Sequence, residues 1–160
     1  MSTQTFQVRA DTGVPVDRSI FNLSAFGSQT MVDSDQGFVP AKSLTPQHRL
    51  KCHRGILSDI KWVERLDLSG DDLNKYPDLK PVVIPTGYFG PGLPRRDTLL
   101  SPGQKLWAEC QGGSYIAFGS ARMLAPDSSQ FREQDIAISY IVLACSSPTF
   151  FNAEGMWLSC

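Results

Sequence analysis

The sequence predicts an all-β domain. Thirteen glycines and eleven prolines are spread along the 160 residues, and no window keeps apolar residues at helical spacing for three full turns. Short apolar runs recur instead at roughly eight- to twelve-residue intervals between turn signals. Hydrophobic residues make up 41% of the chain, enough for a core, and at roughly 100–200 residues per domain there is room for one.

The elements follow in order. Phe6 to Val8 and Ser19 to Leu23 read as edge strands, separated by the turn Asp11-Thr12-Gly13 and by Val14-Pro15. Phe38 to Leu44, with Pro40 inside it, and Arg49 to Cys52, where charged residues alternate with apolar or thiol positions, read as half-buried strands. From Gly55, the residues Ile56, Ile60, Trp62 and Val63 are interleaved with Ser58, Asp59 and Lys61. This mixed pattern suits a long bent strand that must turn at Leu68-Ser69-Gly70. Asp71 to Tyr76 is the one helical turn, with Ser69 or Asp71 as N-cap and Pro77 as its stop. Pro81 to Pro85 is a buried strand boxed by prolines. Gln104 to Glu109, Ser114 to Phe118, Ile136 to Ala144, Thr149 to Asn152 and Met156 to Leu158 complete the set. Trp62, Trp107 and Trp157 fall in three separate strands and are expected to fill the core.

Charge narrows the function classes. The formal net charge is −1 and neither sign forms a long run, which argues against nucleic acid or an anionic membrane as partner. The apolar run Ile136 to Cys145 is far short of the roughly 20 residues that span a bilayer. Residues 1–13 lack the basic and apolar regions of a secretory signal, so the cytoplasm is the default expectation. Cys52, Cys110, Cys145 and Cys160 are widely spaced with no CxxC pair, which favours free thiols over disulfides. His48, Cys52 and His53 invite a zinc reading, but on an extended strand His53 would face away from the other two. No metal and no other cofactor is expected. Gly87, Gly90 and Gly92 with Arg95 and Arg96 lack the following helix of a phosphate loop. They predict a structural turn, with Arg95 or Arg96 paired to Asp97 or packed over aromatics.

One stretch is more specific. Pro81-Val82-Val83-Ile84-Pro85 is followed by Gly87-Tyr88-Phe89-Gly90-Pro91-Gly92-Leu93-Pro94-Arg95-Arg96-Asp97 and then by Ser101-Pro102. This resembles the Hint (hedgehog/intein) domains of bacteria, in which a proline-flanked strand leads into a Gly-rich Leu-Pro-x-Arg-Asp turn and a Ser-Pro-x-His strand. Gly37-Phe38-Val39-Pro40-Ala41-Lys42-Ser43-Leu44 is similar to the family's Gly-x-x-Pro-Val-x-x-Leu, and Ile60-Lys61-Trp62-Val63 to its Val-x-Trp-Ile. Ile138 to Leu143 and Asn152-Ala153-Glu154-Gly155-Met156-Trp157 are similar to its closing strands. The resemblance runs from about Leu23 to Cys160, leaving residues 1–23 as a leader or edge strands and 24–160 as the domain. It implies a compact β disk of two pseudo-symmetric halves with one short helix.

Hint domains cut their own backbone. A first Cys or Ser attacks the carbonyl before it, turning an amide into a thioester or ester. A Thr/Ser-x-x-His block polarises that amide and protonates the leaving nitrogen. Carried onto this sequence, the nucleophile position falls on Ala25 and the block on Ser101-Pro102-Gly103-Gln104. Ala25 has no lone pair to offer, and Gln104 donates hydrogen bonds but transfers no proton. The resemblance therefore implies a degenerate domain that keeps the scaffold, has lost self-cleavage and serves as a binding or structural module for a protein partner. The alternative is residual autoproteolysis with Ser24 as nucleophile and Ser101 assisting. If the Leu-Pro-Arg-Arg-Asp match is accidental, the same strands suit an unrelated β-sandwich binding module.

Overall fold

The structure, a computed structural model, describes residues 4–7, 23–124 and 136–160. Its strands are β1 (Gln4–Gln7), β2 (Phe26–Gly27), β3 (Met31–Ser34), β4 (Gly37–Pro40), β5 (Arg49–Lys51), β6 (Leu57–Leu68), β7 (Val82–Ile84), β8 (Thr98–Leu100), β9 (Lys105–Glu109), β10 (Tyr115–Ser120), β11 (Ile138–Cys145), β12 (Phe150–Ala153) and β13 (Met156–Ser159). Two short helices, α1 (Gly70–Lys75) and α2 (Ala121–Leu124), complete the elements. The all-β class is as the sequence predicts, and α2 adds a second helix to the one expected.

The long bent strand exists and organises the rest. β6 has twelve residues; near its start it pairs with β5, and farther along with β11. Ile60, Val63, Leu66 and Leu68 turn inward from it. β11 runs antiparallel to β6 from Ile138↔Leu68 to Cys145↔Ile60, with a register shift after Ala144, and β1 adds on the other side of β6 in parallel. The sheet curls through the order β10-β9-β13-β12-β3-β5-β6-β11-β2-β8-β7. The strand stops at Ser69 because that residue caps α1. Its hydroxyl accepts from Asp72 N while the Asp72 carboxylate accepts from Ser69 N, a capping box.

Two clusters of buried side chains form the core. The larger joins Phe26, Leu50, Leu100, Leu106, Ile141 and Phe151. The smaller joins Ala25, Leu66, Leu68, Leu73, Leu79 and Tyr140, and the buried Tyr140 hydroxyl donates to Leu79 O at 2.8 Å. The start of β2 lies at the junction of the two, with Phe26 in the larger cluster and Ala25, the residue before the strand, in the smaller.

Several expectations are corrected. Phe38 to Leu44 is not one strand: β4 ends at Pro40 and a 3-10 turn covers Ala41–Ser43, consistent with a proline that has no N–H to carry a ladder onward. Strands β2, β3 and β8 were not expected. The tryptophans are half-buried rather than core residues; Trp107 stacks on Phe150 at 4.7 Å and Trp157 meets it edge-on. Cys145 and Cys160 form a disulfide, with Cα atoms 6.0 Å apart, and Cys52 and Cys110 are free. Arg96 pairs with Glu154 at 2.6 Å, not with Asp97, while Arg95 lies 4.8 Å over the Phe38 ring as the aromatic option foresaw. Asp97 instead accepts from Thr86 N at 2.8 Å and from Thr86 Oγ1 at 3.0 Å. The expected turn and strands at Val8, 11–15 and 19–22 lie outside the described residues. Among the described residues no helix is long and apolar enough to cross a membrane.

Candidate functional site

Ala25 and Ser101 are 76 positions apart in sequence and meet in space. The strands that carry them explain why: β2 pairs with β8 at Phe26↔Leu100, so the residue before one strand faces the residue after the other. Ser101 N donates to Ala25 O at 2.9 Å. Ala25 N donates to Ser101 Oγ at 3.0 Å, and Ser101 Oγ donates to Leu23 O at 2.6 Å. Both residues are fully buried. A hydroxyl has one proton and two lone pairs. Here the proton sits on Leu23 O and one lone pair receives the Ala25 amide, so Ser101 straps the chain on both sides of Ser24.

Gln104 closes the turn that Ser101 opens, its N–H donating to Ser101 O at 3.0 Å. Its side chain is buried and turns toward the end of the chain: Nε2 donates to Lys105 O at 3.0 Å and to Ser159 O at 3.1 Å. Two carbonyl acceptors fix which end of the amide is nitrogen. Both amide hydrogens are thereby used, and Oε1 is left buried with no hydrogen-bond partner among the described residues. Ser101 thus bonds both to Ala25 and, through backbone, to Gln104, whereas Gln104 and Ala25 make no hydrogen bond to each other.

Ser24 has no regular secondary structure and is half-buried. It opens onto a cleft of about 850 Å3 whose wall also includes Lys105, Trp107, Arg122, Thr149 and Cys160, a volume within the range of ligand sites. His53 lines the same cleft. Its ring stacks on Phe150 at 4.0 Å and meets Tyr115 edge-on at 5.6 Å, and its Nδ1 is buried with no hydrogen-bond partner among the described residues. The strand geometry assumed for a metal set does not hold. His48 stands in a turn where its Nδ1 accepts from Thr45 N at 3.1 Å, Cys52 is buried and bridges Phe151, and His53 opens a 3-10 turn. Burial pushes the Cys52 thiol above its usual range, outweighing a hydrogen bond with Thr149.

Sequence reasoning missed the carbonyl of Leu23 as the proton acceptor of Ser101, and missed Lys105 and Arg122 as cleft residues. Alternation placed Lys105 on a strand, but the cleft it faces is closed by segments 40 and more residues away. The Leu-Pro-Arg-Arg-Asp turn lies elsewhere: its Arg96 holds Glu154 and Gln29 O, tying the Gly-rich bend to the β12–β13 hairpin. Glu154 takes φ +52 in that hairpin turn and is followed by Gly155 at φ +88, the left-handed pair that a tight hairpin requires.

The chain matches the family model described as Hint domain over residues 24–159. No curated protein and no solved structure matches it.

Proposed function

The chain belongs to the Hint domain family, an autoprocessing-related group, and from that premise we propose that it is a scaffold-retaining member without self-cleavage that works as a binding or structural module. One observation carries the reading: the nitrogen of Ala25, the leaving atom of the bond the family cuts, donates its hydrogen to Ser101 Oγ at 3.0 Å. An acceptor there cannot hand over a proton. The proton of Ser101 is committed to Leu23 O, and the amide hydrogens of Gln104 are committed to Lys105 O and Ser159 O. Position 25 supplies a methyl group in place of a nucleophile. General acid and nucleophile are thus both missing at the bond between Ser24 and Ala25.

The test is intact mass after incubation with dithiothreitol. The purified chain is expected to keep a single mass, and a species beginning at residue 24 or 25 would overturn the reading. The double variant Ala25→Cys, Gln104→His restores both missing groups and is expected to gain thiol-dependent release of a fragment beginning at position 25.

A second reading is favoured by the 2.6 Å bond from Ser101 Oγ to Leu23 O. That contact draws electrons from the carbonyl that a Ser24 hydroxyl would attack and would stabilise the oxyanion formed there. In this reading the bond between Leu23 and Ser24 rearranges to an ester, and Ser24→Ala abolishes any fragment. Fragments that persist in that variant rule out Ser24 as the nucleophile.

A further inference from the structure

The cleft beside Ser24 has a covalent bond in its wall. Cys160 lines it and is bridged to Cys145, the last residue of β11. Along the sheet β13 and β11 are separated by β12, β3, β5 and β6, so the bridge joins across the curl what the hydrogen-bonded path keeps apart. It also closes a ring of chain from Cys145 to Cys160. Pro148, Thr149, Phe150 and Ser159 belong to that ring and line the same cleft.

The fold does not hang on this bond. β13 pairs with β12 and with β9, and its Leu158 is buried in the same core cluster as Ile141 and Leu143 of β11. What the bond fixes is the last residue of β13. The carbonyl of Ser159 accepts from Gln104 Nε2 at 3.1 Å and its hydroxyl oxygen accepts from Trp107 Nε1 at 2.7 Å, while Cys160 N donates to Thr149 O at 2.9 Å. Both bridged cysteines are only half-buried, so a small thiol can reach sulfur in the folded chain. Lys105 and Arg122 line the cleft and no described acidic residue does, a setting that draws in a thiolate and favours the thiolate form of Cys160 once the bond is open.

We propose that the bridge between Cys145 and Cys160 is a reversible thiol-exchange site, opened in the folded chain by a small thiol, and that opening it loosens the Ser159 corner of the cleft. The attacking thiolate bonds to Cys160 Sγ and displaces Cys145 Sγ as a thiolate, which takes up the proton the attacker shed. A second small thiol attacks the first one's sulfur in the mixed disulfide and releases Cys160, so both cysteines end as thiols and the two small thiols end joined as their own disulfide. Ser159 is then held by hydrogen bonds alone, and its loosening passes to Trp107 in the cleft wall and to Gln104 behind it. The inference stands whether or not the chain cleaves itself.

The full chain is first equilibrated with oxidised glutathione, then treated with an excess of reduced glutathione, and both samples are alkylated with N-ethylmaleimide without denaturant and weighed intact. The reduced sample is expected to carry two labels more than the oxidised one, mapped to Cys145 and Cys160, with far-ultraviolet circular dichroism unchanged. Tryptophan emission is expected to shift on reduction, and hydrogen exchange at the Cys160 amide to quicken about tenfold or more. Cys145→Ser is expected to show the reduced chain's emission and to ignore glutathione, whereas Cys110→Ser, which alters a free thiol outside the bridge, keeps the response. Self-cleavage would register as a fragment mass and is read apart from the added labels. A folded chain that gains no label at Cys145 and Cys160 overturns the proposal. So does a chain that unfolds on reduction, or one that is reduced with its tryptophan emission and Cys160 exchange unmoved; these outcomes are read on the unmutated chain and do not depend on the folding of a variant.

Discussion

Thr45-Pro46-Gln47-His48 and Ser101-Pro102-Gly103-Gln104 share a local design: hydroxyl, proline, spacer, then a residue whose N–H donates back to the first carbonyl, at 3.0 Å in both turns. Each continues with a cation and a leucine at the start of a strand, Arg49-Leu50 in β5 and Lys105-Leu106 in β9, and both leucines are buried. The hydroxyls part company. That of Thr45 is satisfied locally, near His48 Nδ1 at 3.2 Å and receiving Gln47 N at 3.2 Å, whereas that of Ser101 is buried and serves residues 76 and 78 positions away. The same short code makes the same turn. Whether the turn becomes a site depends on which distant segment the sheet delivers to its hydroxyl.

The comparison can be broken first at the leucines. Leu50→Ala and Leu106→Ala are each expected to cost about 2–5 kcal/mol of stability, since both empty a filled core position, and urea unfolding should find the two costs similar. A large disparity would show that the turns anchor their strands unequally. Next comes the contrast between hydroxyls. Ser101→Ala leaves a buried N–H and a half-buried carbonyl unpaired and is expected to cost about 2–4 kcal/mol, against about 0.5–1 kcal/mol for Thr45→Ala, where water can replace the lost bond. Equal costs in chemical denaturation would end the distinction. The smallest effect concerns acid. Hydrogen bonds from the backbone and side chain of Thr86 hold the Asp97 carboxyl below the usual carboxylate range. A depressed folded pKa stabilises the bend above the ordinary value of about 3.9, and that contribution fades as pH falls through the lower folded value. Hydrogen exchange at Thr86 should accelerate in that window, and Asp97→Asn should remove the pH dependence.

Much of the fold was legible because it rests on local pattern. The apolar run in β11, the proline box around β7 and the Ser69 cap of α1 all announce themselves within a few residues. β2, β3 and β8 do not: with two, four and three residues, they take strand geometry from pairing with distant partners rather than from their own side chains. The disulfide was illegible for a related reason, since nothing in the spacing of Cys145 and Cys160 tells that the residue after β13 meets the end of β11. At the candidate site, Ala25, Ser101 and Gln104 were reachable only by family resemblance. Where the hydroxyl proton of Ser101 goes, and that Gln104 spends its hydrogens on Ser159 and Lys105, depended on side-chain directions that no pattern encodes.

The strap between Ser101 and Ala25 also bears on what a cut chain could be. Hydrolysis before Ala25 would create a new amino terminus in a fully buried place, where an ammonium ion would have the Ser101 oxygen as its recorded partner. Desolvation would drive that terminus toward its uncharged form or pull the strand out into water. This geometry therefore holds an unbroken backbone more comfortably than the free end that cutting it would leave.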